Sequence, residues 1–184
     1  MIDEKTYDID NIPEDAEVFA TQQKEYTPID PGEIYQVHID KVELRDNRFY
    51  KPDEPDPMKR GNKYQFSFEY TVLNEGEFLG RKMWDNASLA FKPTTRQGKP
   101  TKLYKIVSRV MSTEFDWDMC AAFAPDTKTL YKNLQENIVG HQVRVAIENT
   151  TNPETKRTRT KITTYSSAKQ ELAVPAEPAP VSPP

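Results

Sequence analysis

Cationic and aromatic side chains occur close together at three places along this chain. The first set lies in a polar loop, the second on the third predicted strand, and the third on the last predicted strand. Their members are Arg48, Tyr50 and Lys51; Arg81, Lys82 and Trp84; and Arg157, Arg159 and Lys161. Lys and Arg bind phosphate oxygens, and aromatic rings stack on nucleobases with roughly 1–3 kcal/mol per base. The three sets therefore predict a surface that holds single-stranded nucleic acid.

Three carboxylates alternate with two aromatic residues in the segment 114–118. Glu114, Asp116 and Asp118 could ligate Mg²⁺, as in metal-dependent nucleases, because a hard cation prefers oxygen ligands. The same alternation is equally typical of an exposed edge segment in which Phe115 and Trp117 are buried. We favour the edge segment and therefore expect no metal site.

Other catalytic machinery is not indicated by the sequence. His38 lies in a predicted strand and His141 follows a predicted helix, and no spacing pairs either with a nucleophile and an orienting carboxylate. Cys120 is the only cysteine, which excludes an internal disulfide and a Cys-rich zinc site, and we expect it to fill a gap in the core. None of the six glycines belongs to a phosphate-binding loop motif. The sequence therefore predicts a non-enzymatic protein that needs no cofactor.

Charge divides the chain into an acidic leader and a basic body. Residues 1–34 carry ten Asp or Glu against two Lys, whereas residues 35–166 carry 22 Lys or Arg against 17 Asp or Glu. The formal net charge of −4 therefore hides a basic body. Basic residues interleaved with aromatic residues are typical of nucleic-acid binding. The acidic leader could compete with a nucleic acid for the same cations.

Length and composition predict one folded domain between two extensions. A chain of 184 residues favours a single domain, and a hydrophobic content of 36% with 15 Pro indicates that part of it does not pack. We predict an acidic N-terminal extension over residues 1–31, a folded domain over 32–166 and a disordered Pro/Ala-rich tail over 167–184. No secretory signal and no apolar run of roughly 20 residues is visible, which predicts a cytoplasmic protein without a membrane partner.

Alternation of apolar and polar residues predicts five strands. The first runs from Glu33 to Leu44, with a bulge near Lys41 where the alternation changes phase. The second, from Tyr64 to Val72, has the clearest alternation, and we expect its aromatic residues to be core rather than a stacking surface. The remaining strands are predicted over residues 78–84, 142–147 and 156–165.

Two helices are predicted between the third and fourth strands. Apolar residues recur on one helical face from Leu103 to Met111, and a second helix is predicted from Thr127 to Asn137, ended by Gly140. The cations that we assign to the solvated face of the first helix are Lys102, Lys105 and Arg109. Three strands, a helical insertion and two strands are the order of an OB-fold. The predicted fold is therefore mainly β: a five-stranded, OB-fold-like Greek-key barrel with a helical insertion between strands 3 and 4 and flexible N- and C-terminal extensions.

Several short motifs resemble those of a phage protein family. They lie in residues 32–44, 66–72 and 137–143, and in the run Gly80-Arg81-Lys82-Met83-Trp84-Asp85-Asn86 with the three residues before it. With them, residues 32–166 resemble the small OB-fold, single-strand-DNA-binding-like proteins that bacteriophages encode near their replication and recombination genes. The resemblance implies an OB barrel in the host-cell cytoplasm that binds single strands and has no catalytic residues. The tail lacks the acidic, Phe-terminated end of bacterial single-strand-binding proteins.

Three functions follow from these observations. The first is non-enzymatic binding of single-stranded DNA, or of RNA, alongside replication or recombination proteins of a phage. The second is a protein-binding adaptor or inhibitor that uses the OB body and the acidic leader. The third is a metal-dependent nuclease. Salt-dependent binding to oligo-dT separates the first two functions, whereas only the third requires cleavage that depends on Mg²⁺.

Overall fold

The computed structural model describes residues 28–156 and 158–175 of the chain. Most of the acidic leader, Arg157 and the last nine residues of the Pro-rich tail lie outside the described residues. The elements are β1 (Ile34–Asp46), α1 (Pro57–Arg60), β2 (Tyr64–Val72), β3 (Lys82–Ser88), α2 (Lys102–Val110), α3 (Trp117–Phe123), α4 (Thr127–Asn137), β4 (Gln142–Thr151) and β5 (Thr158–Ser167).

The five strands form one antiparallel sheet in the order β3-β2-β1-β4-β5. Strand β1 is central: it pairs with β2 along most of its length and with β4 over Ile34–His38. The register of β1 against β2 shifts between Ile39 and Lys41, which confirms the predicted bulge. Asp40 is the extra residue at this shift.

The mainly β class and the five-stranded antiparallel sheet are confirmed, but the sheet is not closed into a barrel. Strands β3 and β5 are its two edges in the hydrogen-bonding order. They approach each other through side chains, because the Tyr165 hydroxyl donates a hydrogen bond to Asp85 Oδ2. The ammonium of Lys102, at the start of α2, lies 2.7 Å from Asp85 Oδ1. A carboxylate on β3 therefore joins both sheet edges to a helix.

The core lies between the concave face of the sheet and the helices. The second strand contributes Phe66, Phe68 and Tyr70, all fully buried as predicted, whereas Tyr64 at its start is exposed. In α2, Leu103, Ile106 and Val107 are buried, and α4 adds Leu130 and Leu134. The residues that form this core from the other strands include Tyr35, Val37, Ile39, Val143, Val145 and Ile162.

The third strand begins later than the prediction. Residues 78–81, expected to be strand, form turns in which Leu79 N donates to Gly76 O and Arg81 N donates to Phe78 O. Gly80 has a φ of 76°, a left-handed conformation that fits a turn and not a strand. The regular register with β2 starts at Lys82, and Val72 closes the turn through backbone hydrogen bonds with Gly80 and Arg81. Phe78 and Leu79 fit the apolar pattern of a strand, but the glycines on either side, Gly76 and Gly80, have positive φ and form turns.

Removing a buried ring should destabilise this fold far more than removing an exposed one. We expect Phe68→Ala to lower the free energy of unfolding by about 3–5 kcal/mol, because Phe68 is fully buried against Tyr70 in the core. The control is Phe49→Ala, whose ring is 72% exposed and whose loss should change stability by about 0.5 kcal/mol or less. Urea unfolding followed by circular dichroism measures both. Similar losses for the two variants would contradict the position of the core.

Candidate nucleic-acid interface

The convex face of the sheet carries a cluster of polar and aromatic side chains. Residues that are paired across strands point to the same face, so His38, Thr71 and Lys82 lie in one row, and Glu69 and Trp84 lie in the next. We call the following set the outer-face cluster: His38, Asp40, Glu69, Thr71, Lys82 and Trp84.

Asp40 organises the outer-face cluster from the bulge of β1. His38 Nδ1 lies 2.8 Å from Asp40 Oδ1, and the Thr71 hydroxyl donates to Asp40 Oδ2 at 2.7 Å. Lys82 Nζ bridges Asp40 Oδ2 at 3.1 Å and Glu69 Oε1 at 3.2 Å. The bulge therefore directs one carboxylate towards three side chains from three strands.

These contacts shift the pKa values of both charged partners. Burial raises the pKa of Asp40, but the hydrogen bonds from Thr71, His38 and Lys82 outweigh it, so the pKa is lowered overall. Burial lowers the pKa of Lys82, but the bonds to Asp40 and Glu69 outweigh it, so this pKa is raised. Both groups are therefore held in their charged forms.

A hydrogen bond fixes one edge of the Trp84 indole, and the rest of the ring is exposed. The indole Nε1 donates to Glu69 Oε2 at 3.4 Å, and the residue is 58% exposed. The sequence alone is equally compatible with a core position for Trp84, and this exposure excludes it. An exposed indole in the middle of a strand, beside an ammonium group, can stack on an unpaired base.

Arg81 completes the second predicted set at the start of β3. It ends the turn that connects β2 and β3, and its guanidinium lies 5.7 Å from the centre of the Phe78 ring. Lys82 and Trp84 contact the same carboxylate, Glu69. The structure therefore brings Lys82 and Trp84 together, whereas Arg81 lies at the turn beside Phe78.

The first predicted set lies in the loop between β1 and β2, residues 47–63. Its base is closed by a hydrogen bond from Asn47 N to Lys63 O at 2.7 Å, and Lys51 N donates to Arg60 O at 3.1 Å. The guanidinium of Arg48 lies 5.2 Å from the Phe49 ring, which is 72% exposed. Tyr50 and Lys51 follow directly, Tyr50 half-buried and Lys51 exposed. Phe49 is a second exposed aromatic residue, which we did not single out from the sequence although it lies between two chosen residues.

The third predicted set is on a different part of the sheet. Arg157 lies outside the described residues, whereas Arg159 and Lys161 are exposed on β5, opposite Thr150 and Glu148 of β4. Three strands separate β5 from β3 in the order of the sheet. These two cations therefore border the loop between β4 and β5 and do not extend the outer-face cluster directly.

The acidic segment 114–118 is not the expected edge segment. Its end begins α3, and Asp116 caps that helix by accepting a hydrogen bond from Met119 N at 2.8 Å. Phe115 is buried as expected, but Trp117 is 54% exposed. Among residues 28–156 and 158–175, no group of three His, Cys, Asp or Glu side chains could hold a metal ion. The alternation of acidic and aromatic residues marked a helix start here, because Asp116 is a capping residue.

The start of the predicted C-terminal tail lies across the sheet. We call residues 168–175 the C-terminal strap. Gln142 Nε2 donates to Leu172 O at 2.7 Å, and Leu172 N donates back to Gln142 Oε1 at 2.9 Å. Gln36 Nε2 donates to Gln170 O at 2.5 Å and to Gln142 Oε1 at 2.6 Å. Both glutamines are buried, and in the sequence they resembled ordinary outward polar residues of strands, so no local signal indicated this role.

No helix of the described residues has the length and apolar character that a membrane-spanning helix requires.

We expect Asp40→Asn to weaken the acid sensitivity of the fold. Because the folded pKa of Asp40 is lowered, this carboxylate stabilises the fold above its unfolded pKa, and the stabilisation is lost as the pH falls through the folded pKa. The free energy of unfolding, measured with urea from about pH 5 to pH 2, should fall less steeply for the variant than for the natural protein. Asp53→Asn, at an exposed loop carboxylate, should keep the natural slope. Identical slopes for all three proteins would rule out this role.

The glutamine pair should protect one backbone amide of the C-terminal strap. We expect Gln142→Ala to accelerate hydrogen exchange at the Leu172 amide about tenfold or more, because the variant lacks the acceptor of that N–H. Exchange measured by NMR resolves this single amide. Gln97→Ala, at an exposed site, serves as the control and should leave the Leu172 rate unchanged. An unchanged rate in Gln142→Ala would show that the strap does not depend on this contact.

Comparison with known proteins assigns no family to the chain. No protein-family model matches it, and no curated protein matches it at a significant level. Any conclusion about function therefore rests on the residues and their geometry.

Proposed function

We propose that the protein binds single-stranded DNA, or RNA, without catalysing a reaction, and that it serves phage replication or recombination. The observation that carries this proposal is the exposed ring of Trp84, which Glu69 fixes on the sheet beside Lys82. An indole this exposed contributes little to the core, and its cross-strand contact with Glu69 uses only one edge of the ring. Stacking on unpaired bases uses this exposure.

The proposal includes an OB-like barrel that is open between β3 and β5. Three observations support it: the five strands, the helices between the third and fourth strands, and a first strand that pairs with both β2 and β4. OB-folds bind oligonucleotides on the face of strands 2 and 3 and with the loops that connect strands 1–2 and 4–5. The outer-face cluster and the loop 47–63 occupy the first two of these places, and Arg159 is next to the third.

Lys82 should contribute less to phosphate binding than its position suggests. A phosphate at Lys82 has to compete with the carboxylates of Asp40 and Glu69, which already contact this ammonium. We therefore expect Lys82→Gln to weaken binding less than Trp84→Ala does, with Lys82 mainly orienting the cluster.

Binding to fluorescent oligo-dT, measured by polarisation at two salt concentrations, tests the function. With roughly four phosphate contacts, raising the salt from about 50 to about 200 mM should weaken binding by tens of fold. Trp84→Ala should weaken it by about 5- to 150-fold with an unchanged melting temperature, because a stacked base contributes roughly 1–3 kcal/mol. Lys132→Gln, on the exposed face of α4, is the matched charge control for Lys82→Gln. A folded protein that does not bind oligo-dT at the lower salt concentration would refute the proposal.

Protein binding is the second candidate function, and the C-terminal strap favours it. Gln36 and Gln142 hold an extended backbone by its amide and carbonyl groups, a form of recognition that any peptide main chain can use. A partner segment could occupy the same place after the strap is displaced. This candidate requires that Gln142→Ala change partner binding while oligo-dT binding remains absent.

A further inference from the structure

A cleft of about 740 Å³ lies outside the outer-face cluster, between α3 and the segment that follows β3. One wall is Trp117, the first residue of α3, and the opposite side carries Lys92 and Arg96 with the threonines between them. Trp117 is 54% exposed. The cleft thus combines an accessible indole with two cations, and none of its wall residues belongs to the three sets predicted from the sequence.

The cationic side of the cleft is a hairpin formed by residues 92–101. Its base is closed by bonds from Lys92 N to the Thr101 hydroxyl and from Thr101 N to Lys92 O, both at 3.1 Å. Nearer its tip, Thr95 N donates to Lys99 O at 2.8 Å. Gly98 turns the tip with a φ of 69°. The hairpin is therefore preformed, and its cations need little reorganisation to meet a ligand.

The indole side of the cleft is fixed by a buried aromatic group. Phe115 N donates to the Tyr104 hydroxyl, which donates in turn to Phe115 O, both at 3.1 Å. The Phe91 ring packs 5.4 Å from Phe115 and 5.7 Å from Tyr104, measured between centroids. Trp117 follows Phe115 by two residues and begins a helix that Asp116 caps. Its backbone is therefore held in place while its ring faces solvent.

The hairpin carries no acidic residue of its own. The segment 89–101 contains Lys92, Arg96 and Lys99 and no Asp or Glu. None of the ion pairs found in residues 28–156 and 158–175 involves these three cations. Lys82 differs in this respect, because two carboxylates contact it. Asp116 and Asp118 flank Trp117 but are not among the residues that line the cleft, so an anion at Lys92 and Arg96 has no ion-paired carboxylate to displace.

We propose that this cleft is a second binding site for the same single strand and takes one unpaired nucleotide, with its base on Trp117 and its phosphate at Lys92 and Arg96. This inference rests on the proposed function. The register places Asp46 beside Tyr64 and Gln65 beside Ser88, so the loops 47–63 and 89–101 leave the sheet at the same end. A strand bound on β2 and β3 can continue from that end into the cleft.

The two tryptophans of the chain allow the two sites to be observed separately. In Trp84→Phe the fluorescence of Trp117 reports the cleft, and in Trp117→Phe that of Trp84 reports the outer-face cluster. Oligo-dT is added to each variant, and binding is followed in parallel by polarisation of a labelled oligonucleotide. We expect both indoles to be quenched as the strand binds, because stacking brings a base onto each ring.

Charge variants of the hairpin complete the experiment. The double variant Lys92→Gln with Arg96→Gln should lower the affinity for oligo-dT about tenfold and reduce the salt dependence, since two phosphate contacts are lost. Lys128→Gln with Lys132→Gln, on α4, removes the same charge elsewhere and should have a much smaller effect. Binding with quenching of Trp84 alone, or equal affinities for the two double variants, would overturn the second site and leave the proposed function intact. Absence of binding in the natural protein would overturn both.

Discussion

Strand β1 is hydrogen-bonded along both of its edges, and the position of every other strand follows from it. It pairs with β2 on one side and with β4 on the other, and β3 and β5 are attached only through those neighbours. A strand that serves two partners must bend as the sheet curls, and the extra residue Asp40 at the register shift allows this. The same bulge that lets β1 bend also directs the Asp40 carboxylate into the outer-face cluster.

Most strands and helices were predictable from local patterns, and the elements that were predicted wrongly have local causes. The strand Tyr64–Val72 and the helix Thr127–Asn137 were predicted with the bounds that the structure has, since apolar periodicity and tertiary packing agree there. The start of β3 was wrong because Phe78 and Leu79 alternate like strand residues while the neighbouring glycines form turns. The sequence does not predict helix α3, because the alternation of acidic and aromatic residues at 114–118 indicates an edge segment and hides the capping role of Asp116. Closure into a barrel was expected from element order, which carries no information about the gap between two edges.

The candidate site was predictable as residue types but not as contacts. Lys82 and Trp84 lie on one predicted strand and share a partner in the structure. That partner, Glu69, and the more distant Asp40 come from other strands, and a sequence does not show which carboxylate contacts which cation. The Gln36–Gln142 contact joins residues 106 positions apart. A count of charges does not show pairing either: Lys82 and Lys102 are paired with carboxylates, whereas the hairpin 92–101 contains three cations and no Asp or Glu.

The contact between Asp85 and Tyr165 has a consequence for the solubility of the protein. Exposed edge strands invite further strands from other molecules, and native sheets protect them with charged side chains that point inward or by covering them. Here the curl of the sheet turns the two edges towards each other, and a charged carboxylate held by Lys102 occupies the space between them. An incoming strand at this gap would have to bury that carboxylate or separate it from its partners. The contact between Asp85 and Tyr165 thus joins the two edge strands, β3 and β5, and opposes the pairing of a further strand with either edge at this gap.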